Sequence, residues 1–168
     1  MKNPPNTKRG RRSWLSFLVG LLVGFIGCGL LAYHLLPGMM IITEASPHDF
    51  EQTVARLHHA ITSHGWSSPG QIDLTDALVK KGVPFDPRVQ VIDLCQPHHA
   101  REVLQSDRYI SCLMPCAVSV WEGDDGRTYV SKMNTGLMGQ MFGGTIAEVM
   151  GSKVSADEEK IMADVLAQ

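Results

Sequence analysis

The sequence predicts an α+β fold, two-layer, with helices on one face of a mainly antiparallel sheet, preceded by one N-terminal transmembrane helix. Three observations carry this reading. Residues 14–36 (WLSFLVGLLVGFIGCGLLAYHLL) contain no Asp, Glu, Lys or Arg. Beyond them, short runs rich in β-branched residues, such as Val89 to Cys95 and Cys116 to Glu122, have the composition of strands. Between those runs, apolar residues recur at helical spacing, as in Phe50, Val54, Leu57 and Ile61.

The apolar run comes first. Its 23 residues suffice to cross roughly 30 Å of hydrocarbon at about 1.5 Å per residue. Lys2, Lys8, Arg9, Arg11 and Arg12 precede it, and no Lys or Arg follows until Arg56. Because positive charge is retained on the cytoplasmic side, residues 1–13 form a basic cytoplasmic tail and residues 37–168 an exported domain, periplasmic or extracellular. The expected location is the inner (cytoplasmic) membrane, single-pass, with the N-terminus inside. Trp14 and Tyr33 lie near the two ends, where amphipathic rings favour the interface. Gly20 and Gly24 form a small-xxx-small pair that lets membrane helices approach, although glycine is common in such helices anyway. A cleaved signal peptide is the competing reading. Phe25-Ile26-Gly27-Cys28 also resembles a lipoprotein cleavage site, but the apolar run continues for eight residues past Cys28, where a lipoprotein linker is polar. All three versions deliver the domain to the same compartment.

The remaining 132 residues suit one domain with one core. They hold ten of the fifteen basic residues and all seventeen acidic ones, a formal charge of −7. No basic face is offered to phosphate backbones, so nucleic-acid binding is rejected and a cationic or neutral partner fits better.

Within this domain Gly38 to Thr43 reads as a first strand. Ser46-Pro47-His48-Asp49 supplies a cap, a first-turn Pro and an answering acid for a helix that Gly65 closes. Trp66 to Asp73 gives a weaker strand, Leu74 to Lys81 a short helix, Val89 to Cys95 the clearest strand, and Pro97 opens a helix to Ser106. Tyr109 to Leu113 and Cys116 to Glu122 are expected as strands split at Pro115. Gly123-Asp124-Asp125-Gly126 turns the chain into Arg127 to Lys132. Thr135 to Met150 reads as helical with a loose centre at Gly143-Gly144, and Ser155 with Glu158 makes a capping box for a last helix striped by Ile161, Met162, Val165 and Leu166.

The chemistry-bearing residues cluster in the middle of the domain. Cys95 ends a strand just before a helix that begins Gln96-Pro97-His98-His99, where unpaired N–H groups favour a thiolate and neutral imidazoles, forms that bind metals or attack electrophiles. A strand-end cysteine is equally often a small buried hydrophobe. On a straight strand Cys112 and Cys116 would lie about 13 Å apart, too far for a disulfide or a shared ion. Cys116, at the start of the strand leading to the hairpin, is therefore the expected neighbour of Cys95, as a bridge or as a thiol pair. The candidate ligand-binding set is Cys95, His98, His99, Cys112 and Cys116, with Cys95, Cys116 and His98 the candidate metal ligands. Met114, Met133, Met138, Met141 and Met150 add soft sulfur that suits copper or another soft metal, although Leu137, Met138, Met141 and Phe142 are also spaced as one core-facing helix stripe. His48, His58, His59 and His64 read as solvated. There is no Cys-x-x-Cys-His for covalent c-type haem, no zinc-ribbon spacing, no phosphate loop, no Gly-x-Ser-x-Gly elbow and no His-Glu-x-x-His. A binding module is therefore favoured over an enzyme; a Cys95 nucleophile lacks a general base fixed by sequence.

These residues resemble a known family, domain of unknown function 302. The likeness rests on the helix ending at Gly65, the acidic strand end Asp73, Cys95-Gln96-Pro97 with Ala100 and Leu104, and Leu113-Met114-Pro115-Cys116, over roughly Met40 to Met150. Met133-Asn134-Thr135-Gly136-Leu137-Met138-Gly139 is similar to a membrane-anchored branch of it. The resemblance implies a compact α+β domain that often forms a homodimer, and it implies no established reaction. Cys112 and the His98-His99 pair go beyond the family pattern. The expected function is thus a membrane-anchored extracytoplasmic binding or accessory domain, holding a small ligand or soft metal near Cys95 and Cys116 in an envelope redox or sulfur context, beside the lipid bilayer and a membrane protein complex. The alternative is a structural or interaction domain that dimerises without a cofactor, its cysteines buried or bridged.

Overall fold

The computed structural model describes residues 7–168, so Lys2 lies outside the described residues. The chain divides into two units, up to Gly38 and from Met39 onward. The first is helix α1, Thr7–Met40. It is longer than the apolar run at both ends and takes up the first residues expected in a strand. Its segment Phe17–Met40, 24 residues with mean hydropathy 2.0, is long and apolar enough to cross a membrane. Trp14 and Tyr33 are exposed on it, and a Cβ added at Gly20 or Gly24 would meet nothing within 4 Å.

The second unit is a five-stranded sheet in the order β1-β5-β4-β3-β2, every neighbouring pair antiparallel. Its strands are β1 Ile41–Ala45, β2 Gln71–Asp73, β3 Val89–Leu94, β4 Cys116–Glu122 and β5 Thr128–Met133. Period-two alternation turns Ile92, Leu94, Val118, Val120 and Val130 into a core shared with the helices, whereas Val91, Ser119, Trp121, Tyr129 and Ser131 stay half-buried on the other face. That outer face carries its own polar ties. Ser131 Oγ accepts Trp121 Nε1 at 2.8 Å and pairs with Thr43 Oγ1 at 2.8 Å.

The helices are α2 Phe50–Ser63, α3 Leu74–Val79, α4 Pro97–Ser106, α5 Thr135–Phe142, α6 Gly144–Glu148 and α7 Ser155–Leu166. Phe50, Leu57 and Ile61 of α2 meet Ile161, Met162 and Val165 of α7 in the core. The α2 cap is Asp49, whose Oδ1 accepts Gln52 N at 2.8 Å, rather than Ser46, which instead bonds Thr53 Oγ1 at 2.7 Å. Three of the histidines expected in solvent are half-buried ties: His48 to Ala167 O, His58 to Gln71 Oε1 and His64 to Asp164 Oδ2, at 2.7–2.9 Å.

Four further expectations are corrected. Arg108–Leu113 is a 3₁₀ segment, not a strand; Ile110 and Leu113, one 3₁₀ turn apart, pack on the core while Tyr109 and Cys112 face out. The stretch after Thr135 is broken at Gly143, whose φ of 71° is open to glycine, and then passes through a π-helical segment, Val149–Val154. That segment runs directly into α7, so Ser155 is already helical and no capping box forms there. The expected α5 stripe also fails at its end, because Met141 is 65% and Phe142 45% exposed.

α5 and the π-helical segment cross in near backbone contact at Gly139 and Gly151. A Cβ on Gly139 would stand 2.6 Å from Gly151 Cα and closer still to Gly151 N. Gly139→Ala is therefore expected to destabilise the domain by about 1–3 kcal/mol through overpacking, whereas Gly20→Ala leaves domain stability unchanged. Denaturant midpoints followed by tryptophan fluorescence check both.

Candidate functional site

The site forms where β3 hands over to α4 and where the 3₁₀ segment hands over to β4. Leu94 and Cys116 are register partners, so Cys95 lies one step beyond the paired ladder. Its backbone is pinned by Ser67, with Cys95 N donating to Ser67 O at 2.8 Å and Ser67 N donating to Cys95 O at 2.9 Å. The helix α4 is capped from within, as Gln96 Oε1 accepts His98 N at 2.6 Å and His99 N at 3.1 Å. Those two N–H groups are therefore not left for the Cys95 sulfur. Burial pushes the Cys95 thiol up rather than down, which corrects the expected thiolate.

Cys95, His99, Met114, Cys116 and Met150 line one cavity of about 20 Å³, closed by Trp66, Val103 and Val154. Its walls are mostly apolar, with the sulfurs, the His99 ring and Gln96 as the exceptions. His98 is exposed on the first turn of α4 and lines neither this cavity nor the larger pocket beside it. His99 turns toward α7, with Nε2 3.6 Å from Asp157 Oδ2 and its ring edge-on to Trp66 at 6.2 Å. The buried Trp66 Nε1 has no hydrogen-bond partner among the described residues. Met138 and Met141 border neither space.

Sequence spacing alone does not reveal the charge beneath the thiols. Lys132 and Glu158 are 6% and 3% exposed and form an ion pair at 3.0 Å, and Thr135 Oγ1 donates to the same Glu158 Oε2 at 2.8 Å. The signal was present in two places: Lys132 stands in the inward row of β5 with Thr128 and Val130, and Glu158 stands in the apolar stripe of α7 with Ile161 and Met162. Burial, then the negative charge of Glu158 and its contact with the S–H, push the Cys116 thiol up to about 12. The nearby Cys95 adds to this, and Lys132 offsets part of it.

The β4–β5 ladder stops at Val118–Lys132, so Cys116 and Ala117 have no partner on β5 and the strands part. The gap is a pocket of about 370 Å³ lined by Cys112, Cys116, Met133 and Thr135, with Lys132 and Glu158. Cys112 is exposed, and Cys116 borders both spaces. All four cysteines are free, and among the described residues no group of three or more His, Cys, Asp and Glu is placed to hold a metal ion.

A family model described as Domain of unknown function DUF302 matches residues 42–167. The chain belongs to this family. Its fold is similar to the crystal structure of an uncharacterized conserved DUF302 protein from Bacillus stearothermophilus, with a TM-score of 0.65 at 19% identity over 76% of this chain and 96% of that one. No curated protein matches the chain. The DUF302 match spans the whole second unit but for a few residues, including the smaller cavity and every lining residue of the larger pocket except Ile41.

In this DUF302 domain a neutral Cys116 contributes to stability. Its folded pKa is raised from 9.0 to about 12, so the contribution is complete below pH 9 and is lost as pH climbs toward 12, where only the unfolded chain ionises freely. The unfolding free energy is expected to fall by up to about 4 kcal/mol over that window, and Cys116→Ala to flatten the fall. Denaturation curves collected from pH 8 to 12 measure it.

Proposed function

We propose that this chain is a membrane-tethered, extracytoplasmic binding module that holds one soft metal ion, copper(I) being the best match, between Cys95 and Cys116. The observation that carries the reading is that both thiols line the same cavity of about 20 Å³. That volume admits one water-sized or ion-sized body and no organic molecule. Met114 and Met150 supply thioethers and His99 an imidazole on the same walls. Thiolate and thioether sulfur select copper(I), which is satisfied by few ligands, whereas structural zinc asks for four.

Both thiols are protonated in the empty site, so uptake of the ion exchanges metal for two protons. Ionising Cys116 costs about 4 kcal/mol more than ionising an exposed thiol, which only a strongly thiophilic ion offsets. The apolar stretch of α1, with basic residues ahead of it and none after it until Arg56, supports retention at the inner membrane with the domain outside. A neighbouring membrane protein complex is then the natural recipient of the ion.

A second reading, a dimerising domain without cofactor, draws on the uncovered sheet face, where Val91, Ser119 and Ser131 are half-buried and Ile41 is 52% exposed. Elemental analysis with thiol titration of protein purified without added metal separates the two. Near-stoichiometric copper, lost in both Cys95→Ser and Cys116→Ser, is the expected result. Metal-free protein with a complete Cys95–Cys116 disulfide and dimeric sedimentation replaces the first reading by the second.

A further inference from the structure

Glu158 is 3% exposed, yet its carboxylate is only half used. Oε2 accepts both Lys132 Nζ and Thr135 Oγ1. Oε1 accepts no hydrogen bond from nitrogen or oxygen among the described residues, and the thiol of Cys116 on its flank is a weak donor. That oxygen keeps spare acceptor capacity, and Glu158 lines the larger pocket.

The pocket that Glu158 lines is large enough for a molecule that could use that capacity. Its volume of about 370 Å³ falls in the range of small-molecule sites. Val91, Ala117 and Met133 make its walls apolar, and the polar groups gather at the Lys132–Glu158–Thr135 end. It opens where β4 and β5 part, on the side of Val91, Ser119 and Ser131. Because Lys132 already balances Glu158, the polar end is close to neutral. A second ammonium or a carboxylate would bring a charge that no group at this end compensates.

We infer that this pocket binds a small neutral molecule with an N–H or O–H donor on a short apolar body, the donor anchored on Glu158 Oε1. The inference goes beyond the metal reading and does not rest on it: the two spaces share Pro115, Cys116 and Met150, but Lys132, Met133, Thr135 and Glu158 line only the larger one.

The test uses full-length protein in lipid nanodiscs with ¹³C-methyl methionine, titrated with pentanamide, pentanoate and pentylammonium in turn. Pentanamide is expected to shift the Met133 methyl resonance saturably while Met114, which lines only the smaller cavity, stays in place. The two ions are expected to bind at least about tenfold more weakly, the penalty for burying an unpaired charge. Ala117→Phe, an exposed wall position, should abolish the shift without unfolding the domain, and Cys95→Ser should leave it intact. No saturable shift with pentanamide, equal binding of the three probes, or an undiminished shift in Ala117→Phe overturns the inference.

Discussion

A buried ion pair, Lys132 with Glu158, governs the lower half of this domain. Taking both charges out of water costs several kcal/mol per ion, offset only when geometry and hydrogen bonds are good. Here Lys132 Nζ and Thr135 Oγ1 converge on one carboxylate oxygen, so strand β5, the start of α5 and the helix α7 are tied at a single point. Removing one partner would strand the other charge in the core. The pair also sets the character of what surrounds it, because the negative end faces Cys116 and keeps that thiol protonated.

The sheet divides the surroundings into two chambers. On the helix side, Cys95 and Cys116 close a space of ion size among apolar side chains; on the other side, the end of the β4–β5 ladder leaves a larger pocket that Glu158 lines. Cys116 stands in the dividing wall. Its strand position follows from the register with Leu94, and its chemistry follows first from burial and then from Glu158. Both thiols of the smaller chamber are pushed toward the neutral form.

Local pattern revealed most of the scaffold. Alternation marked β3, β4 and β5, helical spacing marked α2, and Pro97 placed the start of α4 correctly. The proximity of Cys95 to Cys116 was also legible, because a strand-end cysteine and the first residue of the strand expected beside it meet when the strands pair in an antiparallel ladder. What failed were local signals overridden by distant partners. Ser155 and Glu158 have capping-box spacing, but the chain enters α7 already helical and Glu158 is claimed by Lys132, 26 residues away. Tyr109 to Leu113 has strand composition, yet only Ile110 and Leu113 find core contacts, and a 3₁₀ turn brings those two to the same side. His98 and His99 were indistinguishable in sequence; the helix start turns one to solvent and the other toward Asp157.

The claim on which the rest converges is that Cys95 and Cys116 form an ion-sized site whose thiols are protonated when empty. Calorimetric titration with copper(I) at pH 7, repeated in buffers of different ionisation enthalpy, counts the protons released per ion bound. The account requires about two protons per copper, falling to about one in Cys95→Ser. Tight binding with no proton release, or release unchanged by that substitution, would contradict it.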